Sequence, residues 1–248
     1  MRWLRMVRSE LRKLTTTKMP FAFLGVIVLL AAVTGAAVIW GTDMDGSKGF
    51  IATAADQQSL MAFAGNAMMG AALFGAVAVA REFGHGTVVP TFLASPRRVS
   101  TVTAQVVAVL LAGAVLSIIG SILIVGSVAI ALQFTEYGFL VSTGGVVRVI
   151  VASSLTGAAG GALGAGIGAL IRNVGGAVTV VVGLLFISPP MLIQLVPESA
   201  EWVPSSLAWS ISGVVTEPGV LAAIAAVALW ALVPVLAGLT ATLRRDVV

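Results

Sequence analysis

Six long apolar runs decide what this chain can fold into. They cover residues 20–40, 58–80, 103–132, 144–170, 174–196 and 219–242. A helix needs about 20 apolar residues to cross the hydrocarbon core of a bilayer, and each run supplies them. Backbone N–H and C=O groups in hydrocarbon must pair within the span, so the runs read as helices. Of the 248 residues, 58% are hydrophobic and 10% charged, and the mean hydropathy is +1.08. A water-soluble fold of this size has too much surface to hide that apolar content. The predicted fold class is an all-α integral membrane protein with six transmembrane helices, forming one domain over residues 1–248.

The order of charges gives the runs a direction. With the N-terminus in the cytoplasm, the inner side receives Arg2, Arg5, Arg8, Arg12, Lys13, Lys18, Arg81, Arg97, Arg98, Arg172, Arg244 and Arg245. The outer side receives only Lys48 and Arg148, together with Asp43, Asp45, Asp56, Glu136, Glu198, Glu201 and Glu217. Lys and Arg collect in cytoplasmic loops, so both termini are expected inside. Adding or removing one span scrambles the pattern. Basic residues precede the first run as in a signal peptide, but the run is long and five more follow, so it reads as an uncleaved span. Trp40, Trp202 and Trp209 fall at outer helix ends, as in an aromatic belt. Trp3 falls on the inner side, and Trp230 is mid-span, where packing is the expected role.

Residues 1–18 are no span. At about 100° per residue, Trp3, Leu4, Val7, Leu11 and Leu14 share one face. Arg2, Arg5, Arg8, Arg12 and Lys13 share the other. This predicts an interfacial helix with its basic face toward anionic headgroups. It serves as a topological anchor, or also as part of a docking surface built around Trp3, Arg5, Arg8 and Arg12. The connection 81–102 is too long and too apolar for a minimal loop. It carries charge at Arg81 and Glu82, a turn signal at Gly84–Gly86, apolar Val88, Val89, Phe92 and Leu93, then Pro96 before Arg97 and Arg98. Such a segment can offer apolar knobs to a partner.

The pattern Glu82, Gly86-Thr87, Leu93-Ala94-Ser95-Pro96 and Arg97 resembles the signature loop of ABC-2 type transporter permeases. Arg8-Ser9-Glu10-Leu11-Arg12-Lys13-Leu14 is similar to that family's N-terminal elbow helix. Ile171-Arg172-Asn173 leading into Gly175-Gly176-Ala177, and Trp202-Val203-Pro204-Ser205-Ser206 before the last span, resemble the family too. The resemblance covers nearly the whole chain. It implies the membrane-spanning subunit of an ABC exporter, with Arg81, Glu82, Gly86, Thr87, Phe92, Leu93, Pro96, Arg97 and Arg98 coupling it to a separate ATPase subunit. It also implies a second copy or a related permease, because six spans make half of the family's transport unit. The bacterial plasma membrane is the expected location.

The residues present exclude several chemistries. There is no cysteine and one histidine, His85. Disulfides, thiol catalysis and Cys-based metal sites are out. No G-x-x-x-x-G-K-[ST] string exists to cradle phosphates. The chain is therefore not expected to be an enzyme or to bind a cofactor; ATP and Mg belong to the partner ATPase. The basic residues flank apolar runs, so nucleic acid is not an expected partner. The six runs contain no Asp or Glu, which argues against ion-coupled transport. A non-transporting assembly or sensor subunit is the main alternative function.

Gly157, Gly160, Gly161, Gly164 and Gly168 form three overlapping GxxxG pairs, which let helix backbones approach closely. They serve static packing or a contact that slides. Within the runs, Asn66, Met69, Gln105, Arg148 and Gln194 stand out. Asn66, Met69, Arg148 and Gln194 are candidate pore or substrate residues, and Arg148 lies close enough to an interface to snorkel. The resemblance implies that the second and fifth spans line the path. The outer segment 197–218 is expected to carry a short helix over 205–212 that dips back toward the membrane. The apolar spans suit membrane lipid and a small hydrophobic cargo such as a drug, an antibiotic or a lipid.

Overall fold

The computed structural model describes residues 2–64, 66–84 and 98–244. Among these residues there is helix and no strand. The elements are α1 (Arg2–Thr16), α2 (Met19–Trp40), α3 (Ala54–Ala64), α4 (Met68–Gly84), α5 (Arg98–Leu132), α6 (Thr143–Ile171), α7 (Val174–Val182), α8 (Ser188–Leu195), α9 (Pro204–Ser212) and α10 (Val220–Arg244). Among the described residues, six stretches are long and apolar enough to cross a membrane: α2, α3 with α4, α5, α6, α7 with α8, and α10. The bundle has a basic end, where α1 lies, and an acidic end with the 41–53 and 196–219 connections.

The central element is α6, in which sixteen of 29 residues are buried. Glycine makes this possible, because three helices approach its backbone from three sides. A Cβ on Gly160 or Gly164 would overlap the carbonyls of Met68 or Ala72 in α4, and one on Gly168 would lie 2.8 Å from the Ala76 carbonyl. A Cβ on Gly161 would lie 2.8 Å from the Val109 carbonyl in α5, and one on Gly157 would overlap Ser117. A third contact was not visible in the sequence: Gly166 meets the backbone at Pro234 of α10, and Gly238 meets Gly166 in return. The GxxxG reading is thus resolved into two faces of one helix. By contrast, α2 is peripheral, with only Ala31, Gly35 and Val38 buried.

Two of the expected spans are not regular helices. The second was read as one run; helix instead ends at Ala64 and resumes at Met68, with Asn66 and Ala67 non-helical. Its ends also extend past the apolar run, so Asp56 and Glu82 sit inside helix termini. The fifth widens into one π turn over Gly183–Ile187. In a regular α-helix the rings of Pro189 and Pro190 would meet the carbonyls of Leu185 and Phe186. The wide turn sits at that point.

The expected helix over 205–212 is present as α9, with Leu207, Ala208 and Ile211 buried. It packs into an apolar cluster with Ala152 of α6 and Ala223, Ala226 and Val227 of α10. Trp230, well inside α10, donates its indole N–H to the Trp202 carbonyl at 3.1 Å, so its role is not packing alone. The segment 197–212 is therefore re-entrant. It turns back alongside the last span before rising to Gly213.

The two basic residues at the acidic end have local tasks. Lys48 donates to the carbonyls of Val38 and Ile39 and so caps the last turn of α2. Arg148 is exposed and lies over Gly213, its guanidinium 3.3 Å from where a Cβ there would stand. Gly213 also has φ +77, so only glycine fits without strain.

Candidate functional site

At the basic end, three segments that are far apart in sequence converge. The first is α1. Its Val7 and Glu10 are buried, while Leu4 is 66% exposed and free to enter an acyl boundary. Trp3 donates its indole N–H to Thr103 Oγ1 at 3.4 Å, tying α1 to the start of α5. Arg5, Arg8 and Arg12 are exposed on the opposite side, as the helical period predicts.

The second segment is the end of α4, where the 81–102 connection begins. Lys13 of α1 pairs with Glu10 at 2.7 Å and reaches Glu82 at 3.7 Å. One ammonium thus joins the acid of its own helix to the acid of α4. The third segment is the turn between α6 and α7. Arg172 caps α6 in the left-handed conformation, with φ 59. Asn173 caps α7, its Oδ1 accepting from the Gly176 N–H at 2.9 Å. Two residues therefore reverse the chain. The Arg172 guanidinium lies 5.0 Å from the centroid of the Phe83 ring, a cation–π distance. Glu82 and Phe83 thus take contacts from α1 and from the α6–α7 turn side by side.

Of the predicted coupling residues, Arg81 and Glu82 lie on α4, and Arg98 opens α5. Helix therefore covers more of 81–102 than expected. Gly86, Thr87, Phe92, Leu93, Pro96 and Arg97 lie outside the described residues. Glu10, Lys13 and Phe83 were not singled out as site residues. The signal for the first two is a lone acid on an otherwise basic helix, three residues before a lysine.

Mid-bundle, a crevice of about 410 Å³ opens between α2, the start of α4 and α5. Asn66 lines it, with Phe23, Val26 and Leu30 on one side and Ser117 and Ser121 on another. Asn66 also borders a small chamber of about 10 Å³ lined in part by Ser153, Thr156 and Ser212. Met69 is half-buried on the first turn of α4. Gln194 is exposed on α8, and Arg148 sits over Gly213, so the structure does not bring these two to the crevice. Gln105 is buried near the start of α5.

At the acidic end, two adjacent glutamines of α3 fasten the connections. Gln57 is fully buried; its Nε2 donates to the carbonyls of Ile51 and Gly138, and its Oε1 accepts from the Leu140 N–H. Gln58 donates to the Ser212 carbonyl at 2.8 Å. Among the described residues no group of three or more His, Cys, Asp or Glu could hold a metal ion. No protein-family model and no curated protein matches this chain.

Proposed function

We propose that this chain is the membrane-spanning permease of an ABC-2 type exporter. One observation carries the reading. The amphipathic α1, the head of the 81–102 connection and the α6–α7 turn meet at Glu82 and Phe83. Those are three of the four regions whose sequences resemble the family. A force applied to the 81–102 connection by a cytoplasmic ATPase would enter the bundle at the end of α4. From there it would pass into α6 through backbone contacts at Gly160, Gly164 and Gly168, where neither helix can yield alone. Both termini are cytoplasmic in this reading, and the membrane is the bacterial plasma membrane. ATP and Mg act on the partner. A second copy, or a related permease, completes the transport unit, and the cargo is a small hydrophobic molecule.

The test is co-purification from native membranes in mild detergent. The chain is expected to bring an ATPase subunit with it. A variant with Glu82, Arg97 and Arg98 changed to Ala should bring much less at equal permease yield. Absence of any ATPase under several detergents overturns the reading and favours a non-transporting assembly or sensor subunit.

A further inference from the structure

We propose that the crevice between α2, the start of α4 and α5 binds an uncharged single-chain amphiphile, which enters sideways from the bilayer and sets its one polar group against Asn66. The inference goes beyond the permease reading, because it concerns binding by this chain alone.

Size comes first. About 410 Å³ falls within the roughly 300–1,000 Å³ of small-molecule sites. Charge comes next. No Asp, Glu, Lys, Arg or His lines the crevice, and a charged group held there would have no counter-ion at hydrocarbon depth. The ligand is therefore neutral.

The polar inventory then narrows the chemistry. Three side chains on the wall are polar: Asn66, Ser117 and Ser121. Both hydroxyls donate within their own helix, Ser117 to the Gly113 carbonyl at 2.7 Å and Ser121 to the Ile118 carbonyl at 3.0 Å. Among the described residues, no hydrogen bond reaches the side-chain amide of Asn66. Asn66 is half-buried, and a ligand group in the crevice would give its amide a hydrogen-bond partner. The backbone beside it adds donors. Helix restarts here, and the opening turn of a helix carries N–H groups with no intrahelical acceptor. Irregular backbone at membrane depth persists where it lines a cavity, and broken spans mark binding sites in transporters. The wall thus asks for one hydroxyl, carbonyl or amide on an otherwise apolar molecule.

The opening faces the right source. Val26 and Leu30 both line the crevice and are 54% and 50% exposed on the outer surface of α2. The mouth therefore lies where acyl chains run; α2 packs mainly along α5 and touches α4 through the Phe23 ring, whose centroid is 5.3 Å from that of Phe74.

The test uses native membranes containing the full chain and two photoreactive probes, a diazirine-bearing hexadecanol and the matching hexadecane. The alcohol is expected to label peptides from the crevice walls in α2, α4 and α5, and unlabelled hexadecanol should compete. Gly70 lines the crevice and a Cβ there meets nothing within 4 Å, so Gly70→Phe brings a ring into the space from an open backbone position. It should reduce labelling to the level of the other lipid-facing surfaces. Gly25 is equally open but off the crevice, so Gly25→Phe should change nothing. Asn66→Leu should lower the preference for alcohol over alkane about fivefold, the worth of one hydrogen bond. If Gly70→Phe does not reach the membrane, the Asn66→Leu preference decides. Undiminished labelling in Gly70→Phe overturns the proposal, as does equal labelling by both probes in the native chain. A disulfide between two copies of an Asn66→Cys chain would assign the amide to a subunit contact and overturn it too.

Discussion

The two halves of the second span are held in opposite ways. α3 is fastened by side chains: Gln57 and Gln58 bond backbone groups of three separate connections. α4 is fastened by the absence of side chains, its backbone pressed against Gly160, Gly164 and Gly168. The first mode depends on directed hydrogen bonds whose loss leaves buried groups unpaired. The second depends on shape, and tolerates no added volume. Between them, at Asn66 and Ala67, the helix is interrupted. The two halves can therefore respond separately to a change at either end.

The largest effect is expected from Gly164→Leu, whose side chain would overlap the Ala72 carbonyl. Overpacking costs typically about 1–3 kcal/mol, and here backbone rather than a flexible side chain must give way, so the upper end or beyond is expected. The chain should fail to yield a single species in size-exclusion chromatography. If the variant assembles and transports fully, the α4–α6 contact has no special role. Gln57→Leu comes next. It strands two carbonyls and one N–H, with a loss of roughly 2–4 kcal/mol expected from the penalty for unpaired buried groups. Heating while following the tryptophan fluorescence would show it.

A sharper version asks where the loss appears. In Gln57→Leu, amide hydrogen exchange should rise across Ala54–Ala64 and stay level across Met68–Gly84. A rise in both would mean that the interruption does not separate the halves. Gln58→Leu removes one bond, so about 1 kcal/mol is expected from the same measurements. The smallest effect is Lys13→Ala. Its ion pairs are partly exposed, so stability should fall by less than about 1 kcal/mol, while ATPase co-purification should weaken if the basic-end cluster transmits force.

Much of the bundle was legible in the sequence, because length and hydropathy alone fix how many helices can cross hydrocarbon. The six runs, the amphipathic α1 and the short helix at α9 all follow from local pattern. The glycine spacing also announced close packing. What it could not say is which neighbour each glycine meets, since Gly157 and Gly160 differ only by rotation about α6. The interruption at Asn66 was hidden because the run 58–80 is apolar on both sides of it. Only a Gly-Asn pair marks the place. Gln57 and Gln58 stand at the start of that run, where nothing in the local pattern singles them out. Their partners at Gly138 and Ser212 lie 81 and 154 residues away, beyond any local pattern. At the basic end the same limit applies, since nothing near Phe83 in sequence points to Arg172.

The bond from Trp230 to Trp202 has a consequence for how the chain is made. Residues 197–212 leave the ribosome before the helix that holds them exists. Until Trp230 follows, the returning segment has α6 and α3 beside it but lacks the last span that completes its apolar cluster. Its seating must therefore be among the last events of biogenesis, completed when the sixth span enters the bilayer. A nascent chain stalled before residue 219 should leave this segment open to protease, and one released after residue 244 should close it.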